Sequence, residues 1–204
     1  MQPQGDSPDG AEPQPEGKRR QYTSNWFLRV VVEFLIALAI AVTLTWLVTT
    51  FILQPYEVPS GSMEPTIMTG DKIIAEKLSF VFGPIKRGDI IVFEDKTHPG
   101  RILVKRVIAV AGETVDLRNG SVVVDSNMLY EPYTYRTFSN PLPSSFDDMP
   151  IEYPYVVPEG CVWVMGDNRD NSADSRYFGP IEERTVEGRV MMVFWPPSDI
   201  SILM

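Results

Sequence analysis

"RILVKRVIAVAGETVDLRNGSVVVD", Arg101 to Asp125, decides the fold class. Its first ten residues form an apolar, β-branched run that carries two adjacent cations, and side chains on a strand alternate between faces. Leu103, Lys105, Val107 and Ala109 then share one face, with Ile102, Val104, Arg106, Ile108 and Val110 on the other. Gly112 breaks the run. Asn119-Gly120 follows between β-branched flanks, the strongest short signal for a two-residue hairpin. Working outward, "DKIIAEKL" from Asp71, "GDIIVFED" from Gly88, "CVWVMGD" from Cys161 and "GRVMMVFW" from Gly188 are further short apolar runs bounded by Gly, Pro or charge. The pattern predicts a mainly β domain. Tyr130 to Pro158, rich in Pro, Tyr and Ser and without period, reads as an irregular excursion or small cap.

A chain of 204 residues with 44% apolar content can build one modest core. The net charge of −9 argues against a nucleic-acid partner, which would select a basic face. One cysteine, Cys161, excludes an internal disulfide, and one histidine, His98, nearly excludes a Cys/His metal site. His98 lies in a turn-like "KTHPG" and reads as an exposed loop residue rather than a general base; Cys161 reads as a small hydrophobe.

The first 17 residues are mostly proline, glycine, acid and amide, a composition that cannot offset its own ordering entropy. "FLIALAIAVTLTWLVTTFIL", Phe34 to Leu53, then runs uncharged for long enough to cross a hydrocarbon layer of about 30 Å as a helix. It exceeds the apolar core of a removable signal peptide, roughly 7 to 15 residues, and reads as a retained anchor. Lys18, Arg19, Arg20 and Arg29 precede it and no Lys or Arg follows until Lys72, so the positive-inside bias puts the N-terminus in the cytosol and the β domain outside. Ser62 is the ninth residue after Leu53, at most about 30 Å of extended chain.

Ser62 sits within "PSGSMEPT", Pro59 to Thr66. Two prolines and Gly61 make a stiff turn that holds Ser60 and Ser62 in set directions; an ordinary Ser/Pro linker has the same composition. Lys105 is the odd member of its apolar strand face. A lysine there snorkels to an edge, or else is buried with its ammonium form disfavoured, and a neutral amine can act as a base. With no credible histidine, Ser62 and a buried Lys105 would be complementary halves of a Ser-Lys pair, a known variant of the serine-nucleophile arrangement. "MGDNRDNSADSRYFGPI", Met165 to Ile181, crowds polar residues into one loop after a strand. It reads either as a solvated turn or as support for the lysine, with Asp174 and Arg176 holding each other while Ser172 orients the amine.

In this order after an anchor, "PSGSMEPT", "GDIIVF", "LVKRVIAVAGE" and "MGDNRDNSADSRYFGPI" resemble the bacterial type I signal peptidases. The likeness runs from the anchor to about Trp195 and leaves out the acidic tail and residues 130–158. It implies a mainly β, barrel-type catalytic domain with one N-terminal transmembrane helix and a small cap. It further implies Ser62 as nucleophile, Lys105 as general base, and Ser60 with the Ser62 N–H as oxyanion hole. Ser172 would orient the lysine and Asp174 and Arg176 would form an ion pair beside the site; Met63 follows the nucleophile as the family pattern has it. Asp167, Asn168 and Arg169 belong to the shared motif and read as structural. The implied activity is removal of signal peptides after small residues (Ala-X-Ala type), with no metal or cofactor. Val58, Met63, Ile67 and Val104 are the expected pocket walls, from position and apolarity.

The expected layout is a tail over 1–24, an anchor over 25–53, a catalytic β domain over 54–117 and 159–204, and a hairpin with cap over 118–158. The expected setting is the cell membrane, single-pass, with signal peptides and the bilayer as partners. Two other readings differ in testable ways. A self-cleaving Ser-Lys repressor would place a DNA-binding domain where this chain has its anchor. An anchored β-module that only binds partners would be indifferent to Ser62→Ala.

Overall fold

The computed structural model of the protein describes residues 22–95, 98–134, 138–143 and 151–203. The chain divides into two units at Trp46/Leu47. The first is carried by helix α1, Tyr22–Phe51, whose segment Trp26–Phe51 has a mean hydropathy of 2.4 and buries nothing inside the protein. That is a candidate membrane span. The helix starts inside the segment expected as tail and stops two residues before the expected end of the anchor. Residues 1–21, including Lys18, Arg19 and Arg20, lie outside the described residues.

The second unit is built from antiparallel strands, as the alternating runs predict. In chain order they are β1 (Leu53–Glu57), β2 (Lys72–Glu76), β3 (Ile90–Glu94), β4 (Ile102–Ala109), β5 (Thr114–Arg118) and β6 (Ser121–Val124). β7 (Asn127–Met128), β8 (Tyr155–Val156), β9 (Cys161–Met165), β10 (Ile181–Glu182), β11 (Val186–Trp195) and β12 (Ser201–Ile202) complete the set. The main sheet has the order β1-β2-β11-β3-β4-β9-β10, with β12 added to β11; β7-β6-β5-β8 form a second sheet. Among the described residues the main sheet stays open, with β1 and β10 as its edges, so the barrel-type expectation is met by two open sheets and not by closure. The β5–β6 hairpin turns at Asn119 (φ 51°) and Gly120 (φ 80°), the left-handed pair that Asn-Gly supplies at least strain. The supposed cap is thereby tied in, because β8 emerges from it to pair with β5.

Three apolar clusters form the core. Ile73, Ala75, Ile90, Val92, Val190 and Val193 from β2, β3 and β11 pack with Val58, Met63 and Ile67 of the serine turn, against Ile102 and Val104. The opposite face carries Ile91, Phe93, Val107, Val162 and Val164, with Leu103 against them. Trp163 and Met165 join Val115, Val122 and Val124 under the second sheet. The strict alternation expected for β4 holds only as far as Val107. A register shift against β9 between Val107 and Ala109 turns Ile108 and Ala109 together into the third cluster.

Candidate active site

The serine turn is pinned from both sides. Val58 N–H donates to Asp71 O (2.9 Å), Gly70 N–H returns to Val58 O (2.8 Å), and Met68 N–H reaches the Asp71 carboxylate at 2.8 Å. Gly61–Met63 forms one 3₁₀ turn, and the buried side chains of Met63 and Ile67 on either side anchor it in the core. From the opposite direction Asn168 clamps the turn twice, its backbone N–H to Ser62 O and its side-chain amide to Gly61 O, both 3.0 Å. Ser62 is held at 7% exposure, with its side chain toward β4.

Lys105 lies mid-strand on β4, opposite Ile91 of β3, and is 2% exposed. Its Nζ stands 2.8 Å from Ser62 Oγ and donates to Val104 O at 3.0 Å. Burial pushes the amine down from 10.5 to about 8; the carboxylate of Asp174 opposes the drop, while the charge of Arg101 adds to it. At a pH near 8 a large fraction of this amine carries a lone pair, within proton-transfer reach of the serine hydroxyl.

The loop after β9 supports the pair through buried charge. Asp174 receives both Nε and Nη2 of Arg176 at 2.9 Å, and also accepts Gly166 N–H at 3.0 Å. The Asp–Arg pairing anticipated from sequence is thus present in the fold. Gly166 is there because space requires it: a Cβ would meet the side chain of Ser172 and come within 2.5 Å of Ser62 O. Ser172 Oγ is buried beside this glycine and has no hydrogen-bond partner among the described residues, so the expected bond from Ser172 to the lysine amine is not formed.

Several contacts had no signal in spacing. Arg106 forms a bidentate pair with Asp167, 61 residues on (Nε–Oδ1 2.8 Å, Nη2–Oδ2 2.6 Å), and Thr66 Oγ1 donates to the same carboxylate at 2.5 Å. An arginine next to Lys105 on a buried strand does demand a carboxylate, though not which one. Arg169, also fully buried, is met by Glu131 at 2.6 and 3.0 Å and by Ser139, both from the segment read in sequence as an irregular cap. Asn168 reads as structural in sequence; in the fold it carries the serine turn.

Two openings adjoin the pair. A cleft of about 500 Å³ is bordered by Ser60, Ser62 and Lys105, with Leu142, Asp170 and Tyr177 on its far side. A smaller cavity of about 120 Å³ runs from Ser62 and Lys105 between Tyr56, Val58, Ile102 and Val104. Val58 and Val104 both line this cavity. Met63 and Ile67 line neither opening: both are wholly buried in the core cluster with Ile73, Ile90 and Val92. Tyr56, Ile102, Arg101 and Leu103 line the small cavity and were not anticipated. Among the described residues no group of three or more His, Cys, Asp or Glu side chains is arranged to hold a metal ion.

Known proteins resemble this chain over most of its length. The family model described as "Signal peptidase, peptidase S26" matches residues 30–195. A "Probable signal peptidase I-1" of Synechocystis is 37% identical, over 79% of this chain and 81% of its own. "Signal peptidase I" of Mycobacterium tuberculosis is 35% identical (81% and 73%), and "Signal peptidase IB" of Staphylococcus aureus 32% identical (83% and 92%). The crystal structure of a signal peptidase I from Enterococcus faecalis aligns with 52% of this chain and 97% of its own at 33% identity, with a TM-score of 0.43. The class is that of the serine endopeptidases. The chain belongs to the signal peptidase I family, peptidase S26.

Proposed function

We propose that the protein removes signal peptides from preproteins with Ser62 as nucleophile and Lys105 as general base. The observation that carries this reading is the 2.8 Å approach of a buried lysine amine to a serine hydroxyl on a clamped turn. Neutral Lys105 takes the hydroxyl proton as Oγ bonds to the scissile carbonyl carbon, and the carbonyl electrons move to oxygen. Ser60 O–H and the Ser62 N–H are the donors suited to that oxyanion, and losing one such donor raises a barrier by about 3 kcal/mol. The lysine ammonium returns the proton to the leaving amine. Water, deprotonated by the same lysine, then releases the signal peptide from the ester as a carboxylate. Ser172, with its hydroxyl unpartnered in the resting site, orients the ammonium once it has formed; the Asp174–Arg176 pair holds the loop that carries it.

The small cavity of about 120 Å³ supports cleavage after small residues, since it has room for a side chain no larger than a few atoms. The apolar helix Trp26–Phe51 supports a single membrane span, and the cations on its N-terminal side support a cytosolic N-terminus with the β domain on the outer face. The test is cleavage of a model preprotein by the detergent-solubilised chain. Wild type is expected to yield one product whose new N-terminus follows a small residue, and Ser62→Ala and Lys105→Ala to yield none. Processing that survives Ser62→Ala overturns the assignment.

A further inference from the structure

Tyr56 and Glu187 are 131 residues apart, and the Tyr56 hydroxyl donates to Glu187 Oε2 at 2.6 Å. The mechanism uses neither. Tyr56 lies on β1, an edge of the main sheet, and its ring packs against the cluster that contains Val58 while forming one wall of the small cavity beside Ser62. A half-buried ring on an edge strand has a neighbouring strand on one side only, and a ring that swung outward would deepen the cavity. Its hydroxyl is what ties it back.

Glu187 reaches that hydroxyl because of a β-bulge. β11 pairs Val186 with Phe93 and Gly188 with Val92, which leaves Glu187 as the extra residue, and bulges of this kind re-aim a side chain. The bulge is fixed in place. A Cβ on Gly188 would stand 2.9 Å from Glu76 O, so glycine is what lets β11 press on β2 there. Arg189, the next residue, is held by Glu76 at 3.4 Å and by Asp89 at 3.3 Å. Burial, then Glu187 itself, pushes the Tyr56 phenol up, so it remains a donor throughout the working range of pH.

We propose that Glu187 is the positioning residue for specificity: through its hydrogen bond to Tyr56 it fixes the wall of the small cavity and restricts the cleavage site to small side chains. The inference rests on the cleavage reaction proposed above. Full-length chain in detergent would be given preproteins with Ala, Val or Leu introduced singly at positions −1 and −3, and kcat/KM compared as the Ala/Val and Ala/Leu ratios. In Glu187→Ala and in the conservative Tyr56→Phe, the ratio is expected to fall about tenfold at one of the two positions, the scale of one or two carbons in an apolar pocket. Glu187→Gln keeps an acceptor and retains the wild-type ratio. Ratios unchanged at both positions in Glu187→Ala and Tyr56→Phe overturn the proposal, as does Glu187→Gln relaxing as far as Glu187→Ala. Cleavage that persists in a Ser62→Ala control instead removes the reaction itself, a result the ratios do not mimic.

Discussion

Replacing Lys105 by methionine removes activity and, at neutral pH, makes the protein more stable. The amine titrates at about 8 in the fold against 10.5 when free, a preference for the neutral form of about 3 kcal/mol. Below about 8 both folded and unfolded chains hold the proton, and folding bears the whole penalty of burying the cation. Between about 8 and 10.5 only the unfolded chain holds it, so stability rises with pH across that window. Methionine has a similar length and no charge to desolvate. Against the relief stand the bonds to Ser62 Oγ and Val104 O, about 1 kcal/mol each. The net gain at pH 7 is therefore about 1–2 kcal/mol, or roughly 4 °C in melting temperature for a chain of this size. Thermal unfolding of both proteins between pH 7 and pH 10.5 measures it, and the difference between them cancels every other titrating group. The gain should shrink with rising pH, pass through zero near pH 9 and reverse by about 1–2 kcal/mol at the top of the range, where only the two lost hydrogen bonds count. A methionine variant no more stable than wild type at pH 7, or a difference that ignores pH, refutes a desolvated lysine.

Gly166→Ala places a methyl against Ser62 O and the Ser172 side chain, and moving the serine turn by about 1 Å is expected to lower kcat about 100-fold, read by steady-state cleavage. Asp174→Asn leaves the fully buried Arg176 without its carboxylate and should cost about 3–5 kcal/mol in unfolding free energy, measured by denaturant titration. Glu131→Gln weakens the two charged bonds to buried Arg169 and should cost about 2 kcal/mol by the same titration; no loss there would show that the segment around residue 131 does not brace the loop after β9.

The strands longest in β-branched residues were legible because alternation, Gly/Pro bounds and the Asn119-Gly120 turn all agree on them. β8, β10 and β12, two residues each, are too short to carry a period, and β1 contains Pro55, tolerable in a strand because β1 is an edge. Bulges defeated the face assignments: Ile108 and Ala109 turn together after a register shift that local sequence does not encode. The Ser62–Lys105 pair could be read from two oddities, a rigid serine turn and a cation on an apolar face. The partners of Arg106 and Arg169 could not, because Asp167 and Glu131 become neighbours only through the sheet order. Met63 and Ile67 were misplaced for a related reason. Apolarity near a nucleophile suits a pocket wall and a core anchor equally, and only the packing against β2, β3 and β11 separates them.

The most direct test of the uncharged amine is the pH dependence of kcat/KM for preprotein cleavage in wild type and Lys105→Arg. Wild type should show an acid limb with an apparent pKa near 8, and the arginine variant, charged at every accessible pH, should be inactive throughout. Turnover by the arginine variant, or a wild-type rate that stays flat through that limb, would contradict a lysine acting as the base.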